Sequence, residues 1–231
     1  VKVRRKKFIW LTIITIILVI SALLYSSLFG LPWKKVSVSK DLISYLDERY
    51  KEEFNVKKMI YNFKDGKYGI IVSPLQNQEI EFHATQGYGQ YLYVDNYPER
   101  TWEYEMKRDF ETEVKKVFPD LIYFGVSTVQ GESLDQVKEA RFPTYRETDS
   151  LLSASVRMNK TFDDTEEIWE QIYAFSKVVQ ENVKNGEVLI FFDPTGEDGQ
   201  VFISCEIKNN VLVNKEEIRN ICEVTEFPKG N

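Results

Sequence analysis

Residues 59–72 read MIYNFKDGKYGIIV, and this stretch decides the class of the fold. Met59, Tyr61 and Phe63 alternate with more polar neighbours, Asp65-Gly66 supplies a tight turn, and Tyr68, Ile70 and Val72 alternate again. A period of two on both sides of an Asp-Gly pair specifies a β-hairpin. A third strand is expected at 79–84, with Ile80, Phe82 and Ala84 on one face. Helical periodicity flanks this meander. Leu42, Tyr45, Leu46 and Tyr50 form an apolar stripe over 40–54, with Ser39 as a capping residue and Asp41 in the first turn. After Pro98, Trp102, Met106, Phe110, Val114 and Val117 follow at spacings of three and four and stop at Phe118-Pro119. Helix, meander, helix makes a two-layer α+β unit over 40–119.

The remainder, 120–231, predicts a second such unit. Strands are expected at 121–129, 150–158, 187–192 and 200–207, the last two as a hairpin around Gly196-Glu-Asp-Gly199. A brief helix is expected after Ser133, from a capping-box pairing with Gln136. A long helix at 164–184 turns Ile168, Ile172, Phe175, Val179 and Val183 inward and stops at Gly186. A last short helix begins at Asn214, capped by its side chain, and carries Cys222 over the sheet. The expected architecture is therefore α+β: an N-terminal transmembrane helix, then two small two-layer units, each an antiparallel sheet with helices on one face.

The N-terminus is of a different kind. Phe8 to Phe29 is 22 positions without a charge. As a helix it reaches about 33 Å, against a hydrocarbon core of about 30 Å. A secretory signal has a shorter apolar core, of about 7–15 residues, and a small-x-small cleavage site. Here Leu28-Phe29-Gly30-Leu31-Pro32 offers no Ala-x-Ala, so a retained anchor is expected over 8–29. Lys2, Arg4, Arg5, Lys6 and Lys7 make 1–7 a basic cytoplasmic tail, which places everything from about Leu31 outside. Residues 30–39 read as a linker.

Charge then narrows the partners. The first 35 residues carry seven basic and no acidic side chains, leaving 23 basic against 36 acidic beyond them, a net charge of −13. Such a domain repels phosphate backbones, so no nucleic-acid partner is expected, and the outer part should stand off the bilayer. The membrane itself, through the anchor, and an envelope or membrane protein are the expected partners.

Chemistry-bearing motifs are few. His83 shares a strand face with Glu79 and Glu81, but positions two apart on a strand span about 13 Å from first to third, too far to converge on one ion. No metal or cofactor is therefore expected. Cys205 lies in register with core positions Val201, Ile203 and Ile207, and Cys222 follows Ile218 and Ile221. The two could oxidise to a disulfide outside the membrane or remain two buried thiols, and one pair without a spacing motif leaves the thiols slightly favoured. Asp193-Pro-Thr-Gly-Glu-Asp-Gly199 is oxygen-rich but lacks the alternating ligands of a calcium loop and is read as a turn. No nucleophile elbow, phosphate-cradling Gly-rich loop or HExxH occurs. In QGYGQYLYVDNY (86–97), Tyr88, Tyr91, Tyr93 and Tyr97 stand beside two glycines. They form the expected contact surface, against the alternative that they cover the domain's own core.

The stretch DLISYLDERYKEEFNVKKMIYNFKDGKYGIIVSPLQNQEIEFHA (41–84), with YPERTWEYEMKRDFETEVKKVF (97–118), resembles the YfjL-like proteins of Gram-positive bacteria. The resemblance rests on a helix ending in Tyr-x-x-x-Phe, the Asn-Phe-x-x-Gly-x-Tyr hairpin and a strand of Ile-x-Phe type. It implies an uncharacterised, single-pass or lipid-anchored extracytoplasmic protein and carries over no catalytic residue. The functional expectation is a non-catalytic, membrane-anchored module that binds a protein partner or ligand in the cell envelope. The rival is a carboxylate- or metal-dependent envelope hydrolase, which needs two converging carboxylates. A third reading is a module that only spaces or stabilises another membrane protein.

Overall fold

The computed structural model describes residues 2–128, 136–137, 141–194, 200–207 and 214–227, with side chains from Trp10 onward. The chain divides into two compact units, Val1–Asp95 and Asn96–Asn231.

The first unit opens with α1 (Lys2–Phe29), whose apolar side chains from Trp10 are exposed almost throughout and whose length suffices to cross a membrane. Gly30 breaks the helix at φ +71°, and α2 (Pro32–Tyr50) begins at once with proline at its first position. The expected linker over 30–39 is thus helical, and Ser39, read as a cap, is buried inside α2. Pro32 starts the helix because the amide it lacks would have had no partner in a first turn anyway. Lys51, left-handed at φ 57°, ends it.

Four antiparallel strands follow in sequential order: β1 (Phe54–Asn62), β2 (Lys67–Pro74), β3 (Phe82–Gln86) and β4 (Tyr93–Asp95). The hairpin has the expected turn, with Tyr61 opposite Tyr68 and Gly66 at φ +71°. α2 lies on this sheet, its Val38, Leu42, Leu46 and Tyr50 buried, as are Ile70, Val72, Phe82 and Ala84 of the sheet. β4 was hidden in the tyrosine-rich stretch.

The second unit starts with α3 (Tyr97–Val117). Sequence reading assigned this helix to the first unit and placed the break at 119/120. Instead Trp102, Met106, Phe110 and Val114 belong to the core of the second sheet, and the units divide after Asp95. That sheet runs in sequential order: β5 (Leu121–Thr128), β6 (Leu152–Met158), β7 (Gly186–Phe192), β8 (Gln200–Ile207) and β9 (Cys222–Phe227). It is mixed, not wholly antiparallel. β6 and β7 are parallel because α4 (Glu166–Asn182) carries the chain back between them. Thr165 caps α4, and Ile168, Ile172, Phe175 and Val179 are buried against the sheet. The expected terminal helix shrinks to α5 (Ile218–Ile221), although the Asn214 side chain does accept from the Glu217 amide at 2.9 Å. Cys222 begins β9. The turn 196–199 and Ser133 lie outside the described residues.

Candidate functional site

Period-two alternation divides the second sheet into two faces. One carries Leu152, Ala154, Val156, Val188, Ile190 and Ile203 into the core beneath α3 and α4. On the other, strand register aligns Tyr123, Arg157, Phe191, Phe202 and Thr225 in one row across all five strands. Five strands at about 4.8 Å make that row about 19 Å wide. Its centre is an aromatic stack: the rings of Phe191 and Phe202 lie 4.8 Å apart, and the Arg157 guanidinium stands 5.6 Å over Phe191. Asp193 lies 3.9 Å from Arg157 and accepts from Gln200 at 2.8 Å. With Phe227 of β9 these groups line a shallow, open hollow of about 150 Å³. Two further rows on this face, Ser155–Leu189–Ser204 and Ser153–Glu187–Glu206, are joined by polar contacts. Ser153 and Ser204 both donate to Glu187, at 2.7 and 3.0 Å.

The hollow offers ring faces, a cation held over one of them, and a carboxylate and amide at its edge. That set can stack on a ring and bond its polar rim. Asp193 is the carboxylate among its described lining residues, and it is engaged with Arg157 and Gln200. Sequence reading missed this site. The signal was there: Phe191 and Phe202 sit out of phase with the core-facing Ile190 and Ile203.

The expected tyrosine surface is dispersed. Tyr88 and Tyr91 are exposed in the loop before β4, Tyr93 packs its ring 5.6 Å from Tyr45, and Tyr97 is buried at the start of α3 in the other unit. Cys205 and Cys222 face each other in the β8–β9 register and form a disulfide. The slight preference for free thiols is corrected, because Cys222 lies on a strand beside Cys205 and not on a covering helix. His83 is exposed on β3, opposite Ile71, and Glu79 and Glu81 precede that strand. Among the described residues no group of three His, Cys, Asp or Glu side chains is placed to hold a metal.

A second polar cluster is buried in the first unit. Asp95, its side chain 1% exposed, accepts from Tyr45 and Tyr50, each at 2.7 Å, with Arg49 at 3.7 Å. Burial first, then the Asp95 charge and hydrogen bond, pushes both phenols well above the usual tyrosine range. This knot ties α2 to β4.

No curated protein matches the chain. A crystal structure of a DUF5037 family protein from Ruminococcus gnavus ATCC 29149 is similar at a TM-score of 0.42 and 13% identity, over 80% of this chain and 98% of that one. Residues 5–96 match the family model described as YfjL-like, N-terminal domain, which stops where the first compact unit stops and leaves α3 outside it. Over those residues, apolar helix included, the chain is similar to a YfjL-like N-terminal domain.

Proposed function

We propose that this chain is a non-catalytic, membrane-anchored extracytoplasmic module that takes a ring-bearing, uncharged ligand on the face of its second sheet opposite α3 and α4. A sugar ring of the envelope or an aromatic side chain of a protein partner has that chemistry. The observation that carries the reading is the in-register row Arg157–Phe191–Phe202, a polar-edged aromatic stack on the face opposite the core. The disulfide supports a compartment outside the cytoplasm. Retention of the anchor is supported by the family match, which runs unbroken from the basic flank through the apolar helix. The N-terminus stays in the cytoplasm on the strength of its five flanking cations.

The test is photo-crosslinking in intact membranes, with a benzophenone amino acid at Tyr123 or at Phe227, both exposed, and at Glu113 on α3 as control. Adducts from 123 and 227 but not 113, lost on Arg157→Ala, are expected. Absence of adducts, or adducts indifferent to Arg157, would overturn the binding face.

A further inference from the structure

The end of the first unit nearest the anchor is built unlike its far end. α2 leads away from Gly30 for about 28 Å. β1 then returns by about the same distance, so the β1–β2 turn comes back to the level of the helix break. The contacts agree. The Leu31 amide donates to the Tyr68 hydroxyl at 3.0 Å, and a β-carbon on Gly30 would lie 2.8 Å from Tyr61 and 2.9 Å from Tyr68. The loop 87–92 reaches the same end, because Tyr88 donates to Asp65 and Lys67 donates to the Gly87 carbonyl. The anchor therefore joins the sheet through packed rings, without a slack linker.

What this end presents is apolar and basic. Phe63 at the hairpin tip is 59% exposed, Leu92 76% and Trp33 70%, with Tyr88 and Tyr91 beside them. Lys34, Lys35, Lys64 and Lys67 supply charge against one carboxylate, Asp65, which accepts from Tyr88 and from the Lys67 amide, and 86–94 contains no acidic residue. The far end, where α2 stops and β1 starts, carries Asp47, Glu48, Glu52 and Glu53 against Arg49 and Lys51. The net charge of −13 is thus not spread evenly, and the expectation that the whole domain stands off the bilayer does not follow from it.

We propose that the hairpin tip and the loop 87–92 form a collar that lies in the headgroup region of the outer leaflet, around the point where α1 emerges. Exposed aromatic rings interleaved with lysines are the side chains that partition into that region, and anionic lipid adds attraction for the lysines. The apolar run of α1 ends at Phe29, so the hydrocarbon boundary falls beside Gly30 and hence beside Tyr61 and Tyr68. The hairpin tip reaches the interface without any rearrangement. This inference rests on the reading of α1 as a retained anchor.

Spin labels on the full chain, with its disulfide intact, in vesicles of phosphatidylcholine and phosphatidylglycerol test both readings separately. Labels go on Phe63→Cys and Leu92→Cys, on Leu18→Cys within α1, and on Leu75→Cys, an exposed apolar residue at the far end. The expected result is an oxygen-to-nickel accessibility ratio several-fold higher at 63 and 92 than at 75, with 18 at bilayer depth. Position 18 at depth while 63 and 92 match 75 overturns the collar and leaves the anchor standing. Position 18 in water overturns the anchor and the collar together.

Discussion

At the scale of single residues, Asp95 shows how a buried charge is kept and what its loss would do. Two phenols and a guanidinium surround it, so its removal takes the carboxylate acceptor from the buried Tyr50 and from the half-buried Tyr45 and Arg49. Asp95→Ala should destabilise the first unit by about 2–4 kcal/mol, read from urea unfolding of the tyrosine near-ultraviolet signal. The same knot sets an alkaline limit. Tyr45 and Tyr50 ionise above the usual tyrosine value when folded and near pH 10 when unfolded. Below pH 10 both states are protonated and the knot's contribution is complete. Above it the unfolded chain releases protons that the folded one retains, so stability falls as pH rises. The urea midpoint should drop between pH 9 and 11, and less steeply in Tyr45→Phe/Tyr50→Phe. Equal slopes in the two proteins would sink this account. Little of the knot was legible in the sequence. Tyr45 and Tyr50 read as stripe residues, and only the chain's return at β4, 45 residues on, brings a carboxylate to them.

At the scale of elements, the strongly periodic ones were readable and the composite ones were not. The β1–β2 hairpin and α4 each carry their period over enough residues to exclude the alternative. β9 does not. Ile218, Ile221 and Cys222 fit a helical stripe, and Cys222, Val224 and Glu226 fit a strand equally well, so the decision lies with a partner strand that no local window contains. Pairing with β8 sets Cys205 opposite Cys222, and the disulfide fastens an edge strand that ends the sheet. The binding row was lost for the same reason, since Arg157, Phe191 and Phe202 become neighbours only through β6–β7–β8 register. The bond closes a loop of 17 residues, which the chain-entropy view values at about 3 kcal/mol. Cys205→Ala/Cys222→Ala should lower the melting temperature of the second unit by about 10 °C. Alkylation of the native protein without reductant should label neither cysteine, and labelling at full occupancy would refute the bond.

At the scale of the whole molecule, the question is which sheet owns the helix at 97–117. An amphipathic stripe states that a helix has an apolar face, and it does not say what that face covers. Chain order suggested the sheet before it, whereas burial of Trp102, Met106, Phe110 and Val114 in the second core assigns it to the sheet after it. The family match ending at 96 falls on the same border. Two fragments separate the alternatives. A chain of 96–231 keeps that core whole and should unfold cooperatively, with Trp102 shielded from quenchers. A chain of 120–231 loses those four side chains and Phe118, all buried. At about 2 kcal/mol each for burial alone, their loss removes about 10 kcal/mol, which is comparable to the entire stability of a domain of this size. It should show no cooperative transition and no dispersed amide spectrum. If 120–231 folds and 96–231 gains nothing over it, the helix belongs with the first sheet and the second core is smaller than described.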